Sequence, residues 1–118
     1  MSERSGKEKA EVLLSLPNPP TAIMTCNDLS AFGVMNAVRN RGLQVGVDIA
    51  VGGFDDIPAA EHVHPGLTTI RQPIYQTAQR LTQILLALIG GQTPDQNATL
   101  LDPKLIIRDS SGQPRRNR

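Results

Sequence analysis

Two short polar signatures carry what chemistry this chain has. Thr25-Cys26-Asn27-Asp28 ends one apolar run, and Gly53-Phe54-Asp55-Asp56 ends a second. A primary amide such as Asn27 both donates and accepts, and a carboxylate such as Asp55 accepts from two adjacent hydroxyls. Held in fixed geometry, that pair suits a polyhydroxyl solute, and equally a nucleobase or an amino acid. An apolar run that stops on Asn-Asp and then reads as helix predicts a buried parallel strand. Such strands deliver polar groups to the carboxyl edge of an open α/β sheet, where ligands bind. Two neighbouring strands of this kind set Asn27 and Asp55 side by side.

The elements that must position these groups follow from periodicity and punctuation. Residues 7–16 read as the end of a helix, with Ala10, Leu13 and Leu14 apolar and Pro17-Asn18-Pro19-Pro20 as the stop. Ala22 to Cys26 is a continuous apolar run, as expected for a strand covered on both faces, with Cys26 a small buried residue in it. Asn27 and Asp28 are good N-cap residues, and the helix after them runs to about Arg41, where Gly42 suits the position past its end. Leu29, Ala31, Phe32, Val34, Met35, Ala37 and Val38 wrap nearly the whole circumference of that helix. Packing on a sheet alone needs only a stripe, so its second face is expected to meet missing chain or another subunit. Asp48 to Gly53 gives a second strand, residues 57–66 a loop or irregular helix, and Leu67 to Ile70 a third strand. Ile74 to Ile89 is an amphipathic helix, and Leu105 to Ile107 a last strand. The order αβαβ-β-αβ is an α/β layer arrangement.

Composition narrows the function classes. With 118 residues, 12 basic against 11 acidic and a net charge of +1, the chain is one small domain at most, with no field that favours nucleic acid or an anionic membrane. Its single cysteine forms no internal disulfide framework and fits a reducing cytosol. No apolar run approaches bilayer length, and Met1 to Lys7 leads into no signal-type apolar segment, so a cytoplasmic location is expected. His62 and His64 have no Cys, Asp or Glu at recognisable ligand spacing, which predicts a loop or interface role and no metal. No Ser-His-Asp order, phosphate loop or cysteine pair stands out, so neither catalysis nor a cofactor is expected. Residues 113–118 read as a disordered tail.

Seven segments fall in order and at family spacing: Pro20-Thr21-Ala22-Ile23, Asn27-Asp28, Gly42-Leu43-Gln44-Val45, Asp48-Ile49-Ala50-Val51, Gly53-Phe54-Asp55-Asp56, Leu67 to Pro73, and Leu105-Ile106-Ile107-Arg108. Together they resemble the C-terminal part of the effector-binding domain of LacI/GalR-type transcriptional regulators, which is similar to the periplasmic sugar-binding proteins. The resemblance covers roughly residues 8–112 and implies a truncated, type I periplasmic-binding-protein-like fold, with a parallel sheet flanked by helices. It implies a second lobe over about 20–70, a crossover over about 71–73 and a first-lobe helix over about 74–89. The family's N-terminal helix-turn-helix, hinge helix and nearly all of its first lobe have no counterpart here.

The same resemblance implies Asn27, Asp55 and Gln72 as contacts to a small-molecule effector, a sugar or related solute. It implies Phe32, Met35 and Val63 as a homodimer contact, and DNA binding only through the missing head. Ile74 stands where several members carry an aromatic, so stacking on a sugar face is not implied. The expected function is an effector-sensing and dimerisation module of a LacI-type regulator; the alternative is a fragment of a periplasmic-type sugar-binding transport protein.

Overall fold

The computed structural model describes residues 2–94 and 99–112; the expectation of a disordered tail over 113–118 lies outside them. The described residues of Met1–Arg71 and Leu105–Arg118 form one compact unit, and those of Gln72–Lys104 a second.

In the first unit, helix α1 spans Glu3–Leu14. It starts earlier than the periodicity suggests because Ser2 and Ser5 close a reciprocal capping box, satisfying amide donors at the helix start. Strand β1 (Ala22–Met24) pairs in parallel with β2 (Ala50–Gly52), in the register Ala22–Ala50, Ile23–Val51 and Met24–Gly52. Single parallel bridges, Gly52–Thr68 and Asp55–Arg71, lead on to β3 (Thr69–Arg71), whose neighbour is β4 (Lys104–Ile106). Both outer strands are short. Only Ile23 of β1 is buried, while Met24 stays 62% exposed and Cys26 lies on the surface. This corrects the expectation of a strand covered on both faces with a buried thiol: the chain supplies cover for one face only.

Helix α2 (Asp28–Asn40) carries the core. Ala31, Val34, Met35, Ala37 and Val38 are buried with Ile23, Val51 and Leu67. The helix ends as its sequence suggests, with Arg39 in the last turn and Gly42 at φ 72°. Its second apolar face, which the sequence assigned to missing chain or another subunit, is covered in large part by α1 of the same chain, leaving Leu29 and Phe32 partly exposed. Two glycines allow this. A Cβ on Gly33 would stand 1.9 Å from the Glu3 carbonyl oxygen, and one on Gly6 would stand 2.2 Å from that of Ser30. At the other end of the contact the Arg41 guanidinium caps α1. Its Nη1 donates to the Leu14 carbonyl at 2.8 Å and its Nη2 to the Glu11 carbonyl at 3.0 Å, while Nε meets the Glu11 carboxylate at 3.1 Å. Orphan carbonyls at a helix end are satisfied this way.

Residues 57–66 hold a one-turn helix, α3 (Ala59–His62). The third strand falls later than Leu67 to Ile70, because Leu67 bonds elsewhere and Thr68 joins the sheet only through its single bridge to Gly52. The Leu67 amide donates to the Ala60 carbonyl and the Thr68 amide to Ser110 Oγ, each at 2.8 Å. Ser110 is fully buried and donates its hydroxyl to the Val51 carbonyl at 2.6 Å, so one serine in a 3-10 turn (Asp109–Ser111) stitches β2 to the start of β3.

The second unit is built on α4, which spans Ile74–Ile89 as the spacing of Ala78, Leu81, Leu85 and Leu88 indicates. None of its residues is buried; Leu81, Leu85, Leu86, Leu88 and Ile89 are all more than half exposed. Among the described residues no helix is long and apolar enough to cross a membrane.

Candidate functional site

The carboxyl ends of β1 and β2 open on one rim. Because the two strands are parallel neighbours, the loops after them emerge on the same side, and the Asp28 amide donates to the Phe54 carbonyl at 2.9 Å. Asn27 and Asp55 therefore stand on two adjacent, hydrogen-bonded loops, and both are half-buried. Asn27 is the N-cap of α2; its Oδ1 accepts from the Ser30 amide at 2.9 Å. That cap engages the oxygen only, and the amide's two N–H donors lie on its other branch. Gln72 belongs to the second unit and is exposed.

The backbone of the second loop is unusual. Asp55 has φ 114° and Asp56 φ 55°. Asparagine and aspartate visit the left-handed region more readily than most residues, but the Asp55 value lies outside it. Conformations of this kind cost on the order of 1–3 kcal/mol and persist only where the surroundings over-determine them.

Three aspartates meet here, and each has a different job. Asp28 is 1% exposed. Its Oδ1 accepts from Thr69 Oγ1 at 2.5 Å and its Oδ2 from the Ile57 amide at 2.8 Å. It thus pins β3 and the far end of the 54–57 loop to the start of α2. Gly53 is needed beside it, since a Cβ there would stand 2.3 Å from Asp28 Oδ1. Asp56, with 4% side-chain exposure, sits between two guanidiniums: Arg71 Nε at 2.6 Å from Oδ2 and Arg108 Nη2 at 2.9 Å from Oδ1. Arg108 is itself largely buried and also donates from Nη1 to the Leu67 carbonyl at 2.7 Å. Neither Asp28 nor Asp56 has a carboxylate to spare: both hold the 54–57 loop to its surroundings. The third carboxylate, that of Asp55, stands half-buried on the loop after β2.

Burial by itself would raise the pKa of Asp56, but the hydrogen bonds and charges of Arg71 and Arg108 outweigh it and hold the carboxyl below its ordinary 3.8. A folded-state pKa below the unfolded one contributes stability that is fully present above the unfolded value and is lost as pH falls through the folded value. Thermal melts of the chain should therefore show acid destabilisation at and below pH 3.8. Asp56→Asn should be less stable near neutrality and show a smaller decline over the same acid range. An identical decline in both proteins would remove Asp56 from the account.

Arg71, Arg108, Thr69 and Ser110 escaped the sequence reading as contributors to this rim. Arg71 lies within one recognised segment and Arg108 closes another, but nothing in local spacing says that both guanidiniums converge on one carboxylate. Phe32, Met35 and Val63 are brought together around a shallow hollow of about 290 Å³ that Glu3, Asn36, Arg39 and Ala59 also line. Met35 is 1% exposed and forms part of the core, so Phe32 and Val63, both half-buried, carry the accessible apolar surface there. His62 and His64 are exposed; the His64 carbonyl accepts from Arg39, and among the described residues no group of three or more His, Cys, Asp or Glu gathers as for a metal.

Residues 1–111 match the family model for the periplasmic binding protein-like domain. The chain belongs to that family. Among relatives of this periplasmic binding protein-like chain, it is 41% identical over 106 residues to the probable HTH-type transcriptional repressor ExuR of Bacillus subtilis, with 90% of this chain matching 32% of that protein. It is 36% identical over 107 residues to the HTH-type transcriptional repressor CytR of Escherichia coli, with 91% of this chain matching 31% of that one. Its fold is similar to a regulatory protein of the LacI family from Chloroflexus aggregans, at a TM-score of 0.86 and 42% identity over 94% of this chain and 40% of the other. It is similar also to the lac repressor dimer bound to operator and the anti-inducer ONPF, at a TM-score of 0.87 and 35% identity over 95% and 39%. The periplasmic binding protein-like chain thus spans about a third of the length of the curated relatives it matches, and it resembles part of the effector-binding domain of LacI-type repressors.

Proposed function

We propose that this chain is the effector-sensing and dimerisation part of a LacI-type transcriptional regulator, gripping a small polar solute, a sugar or a related molecule, at the rim made by Asn27 and Asp55. One observation supports this reading: two parallel neighbouring strands end on hydrogen-bonded loops, one carrying Asn27 and the other Asp55. Gln72, the first residue of the second unit, is proposed as a further contact on family position. The role is one of binding, without catalysis, and the setting is the cytoplasm, with DNA bound by the regulator's helix-turn-helix head. The repressor names of the relatives support regulation over transport, and a similar structure carries an operator and an anti-inducer. In such a regulator the solute acts by binding one arrangement of the domain better than another, which shifts their populations.

Titration of the 118-residue chain with a panel of monosaccharides, a nucleoside and an amino acid, followed by amide NMR shifts, tests the site. At least one sugar should move the amides of residues 27–28 and 54–56 together, with millimolar affinity because one rim supplies few contacts. Shifts confined to other residues would refute the assignment.

The dimer contact is proposed at the Phe32–Val63 hollow. Phe32→Asp should drive the chain to monomer in sedimentation equilibrium while its melting midpoint falls little, since Phe32 is only partly buried. An unchanged self-association would eliminate this face.

A further inference from the structure

We infer that Arg71 is a further contact to the solute, and that it selects a solute whose hydroxylated body carries an anionic group, a carboxylate or a phosphate. This deepens, and rests on, the reading of the rim as a solute site.

β1 and β2 are parallel neighbours, and the parallel bridges Gly52–Thr68 and Asp55–Arg71 carry the same direction on to β3. Three strand ends therefore open on one side. Asn27 follows the first and Asp55 the second, and Arg71 is the last residue of the third. A guanidinium at that end of β3 stands at the edge where open α/β sheets bind ligands.

This guanidinium is held but not used up. Its Nε donates to Asp56 Oδ2 at 2.6 Å, the one side-chain hydrogen bond that Arg71 makes among the described residues. Asp56 is 4% exposed on its side chain, whereas Arg71 is 54% exposed. A buried anchor thus fixes one edge of the group, and the two terminal nitrogens keep their N–H donors for a solute. A guanidinium already anchored loses less freedom on taking an anion, and its planar donors match a carboxylate or a phosphate.

Charge points the same way. The single carboxylate of Asp56 is clamped between two guanidiniums, so the three groups together carry one surplus positive charge. Arg108 is only 16% exposed and spends its Nη1 on the Leu67 carbonyl at 2.7 Å. Arg71 is therefore the cation of the clamp that a solute can reach. Asp55, bridged to Arg71 from the next strand and engaged by a contact of its own, repels an anion set beside it. The solute must then keep its charge apart from the hydroxyls that meet the Asn27 and Asp55 loops, as a sugar acid or a sugar phosphate does.

The test is a titration of the whole chain with D-galacturonate, D-galactose 6-phosphate and D-galactose, followed by NMR. At low salt at least one of the anionic sugars should bind about tenfold more tightly than D-galactose, the scale of one charge-assisted contact. Comparing the two anionic sugars separates a carboxylate from a phosphate. The preference should shrink as salt is raised, because Arg71 is exposed enough to be screened. In Arg71→Gln the ratio of anionic to neutral affinity should collapse towards one. Should that variant fail to fold, the wild-type side chain decides. The Arg71 Nε–H signal, sheltered by its bond to Asp56, should shift with an anionic sugar and stay in place with D-galactose. Anionic and neutral sugars that bind equally, or a preference that survives Arg71→Gln, would overturn the inference while leaving the rim a sugar site. Failure of all three sugars to move the amides of residues 27–28 and 54–56 would overturn the reading of the rim, and this inference with it.

Discussion

Asp28→Ala should destabilise the chain by about 3–5 kcal/mol, the range for removing one partner from a buried, charge-assisted network. The loss has identifiable parts. Thr69, itself 1% exposed, would keep a buried hydroxyl without its acceptor, and the Ile57 amide would lose its own. A small domain has on the order of 5–15 kcal/mol in total, so the variant should be largely unfolded under mild denaturant. Asp28→Asn preserves the volume and one acceptor, and should cost less. Urea melts followed by far-UV circular dichroism measure both. A midpoint for Asp28→Ala within error of wild type would mean that the carboxylate is not the pin described above.

The second large effect is expected at Gly33. Alanine gains about 1 kcal/mol over glycine in a helix interior, so propensity alone predicts a more stable protein. Packing predicts the reverse. The new Cβ would lie 1.9 Å from the Glu3 carbonyl oxygen and 2.6 Å from the Lys7 amide nitrogen, and both are backbone atoms that cannot swing aside. Helices α1 and α2 must then separate, opening the contact that keeps Ala10, Ala31 and Ala37 at no more than 1% exposure. Overpacking of this kind costs about 1–3 kcal/mol and sometimes more, so Gly33→Ala should come out destabilised by about 2 kcal/mol. A raised urea midpoint would show that α1 is not held against α2 at this distance in solution.

Much of this architecture was legible in the sequence where local rules govern it. The α4 helix has the bounds its apolar spacing gives. Asn27 caps α2 through its side chain, and Gly42 takes the positive φ that ends it. The rim was legible for the same reason: a short apolar run ending on Asn-Asp or Asp-Asp leaves few other arrangements in an α/β sheet. Features that depend on distant partners were not. Leu67 and Thr68 carry β-branched and aliphatic signals of a strand, yet their amides are claimed by Ala60 and Ser110. The apolar sleeve of α2 points to a partner because nothing local reveals that Gly6 lies against the Ser30 backbone and Gly33 against that of Glu3 and Lys7. The Asp56 clamp joins two arginines far apart in sequence, one of them past the end of the second unit.

The bareness of α4 has its own consequence for how the chain opens. A helix with no buried residue draws little protection from tertiary contact, and a single helix of this length is marginal in water. Its amides should exchange with deuterium in a regime set by local fraying, while those of α2 wait for the whole first unit to open. Limited proteolysis should accordingly cut within residues 74–89 long before it touches 28–40, because a protease finds there a substrate that unwinds on its own.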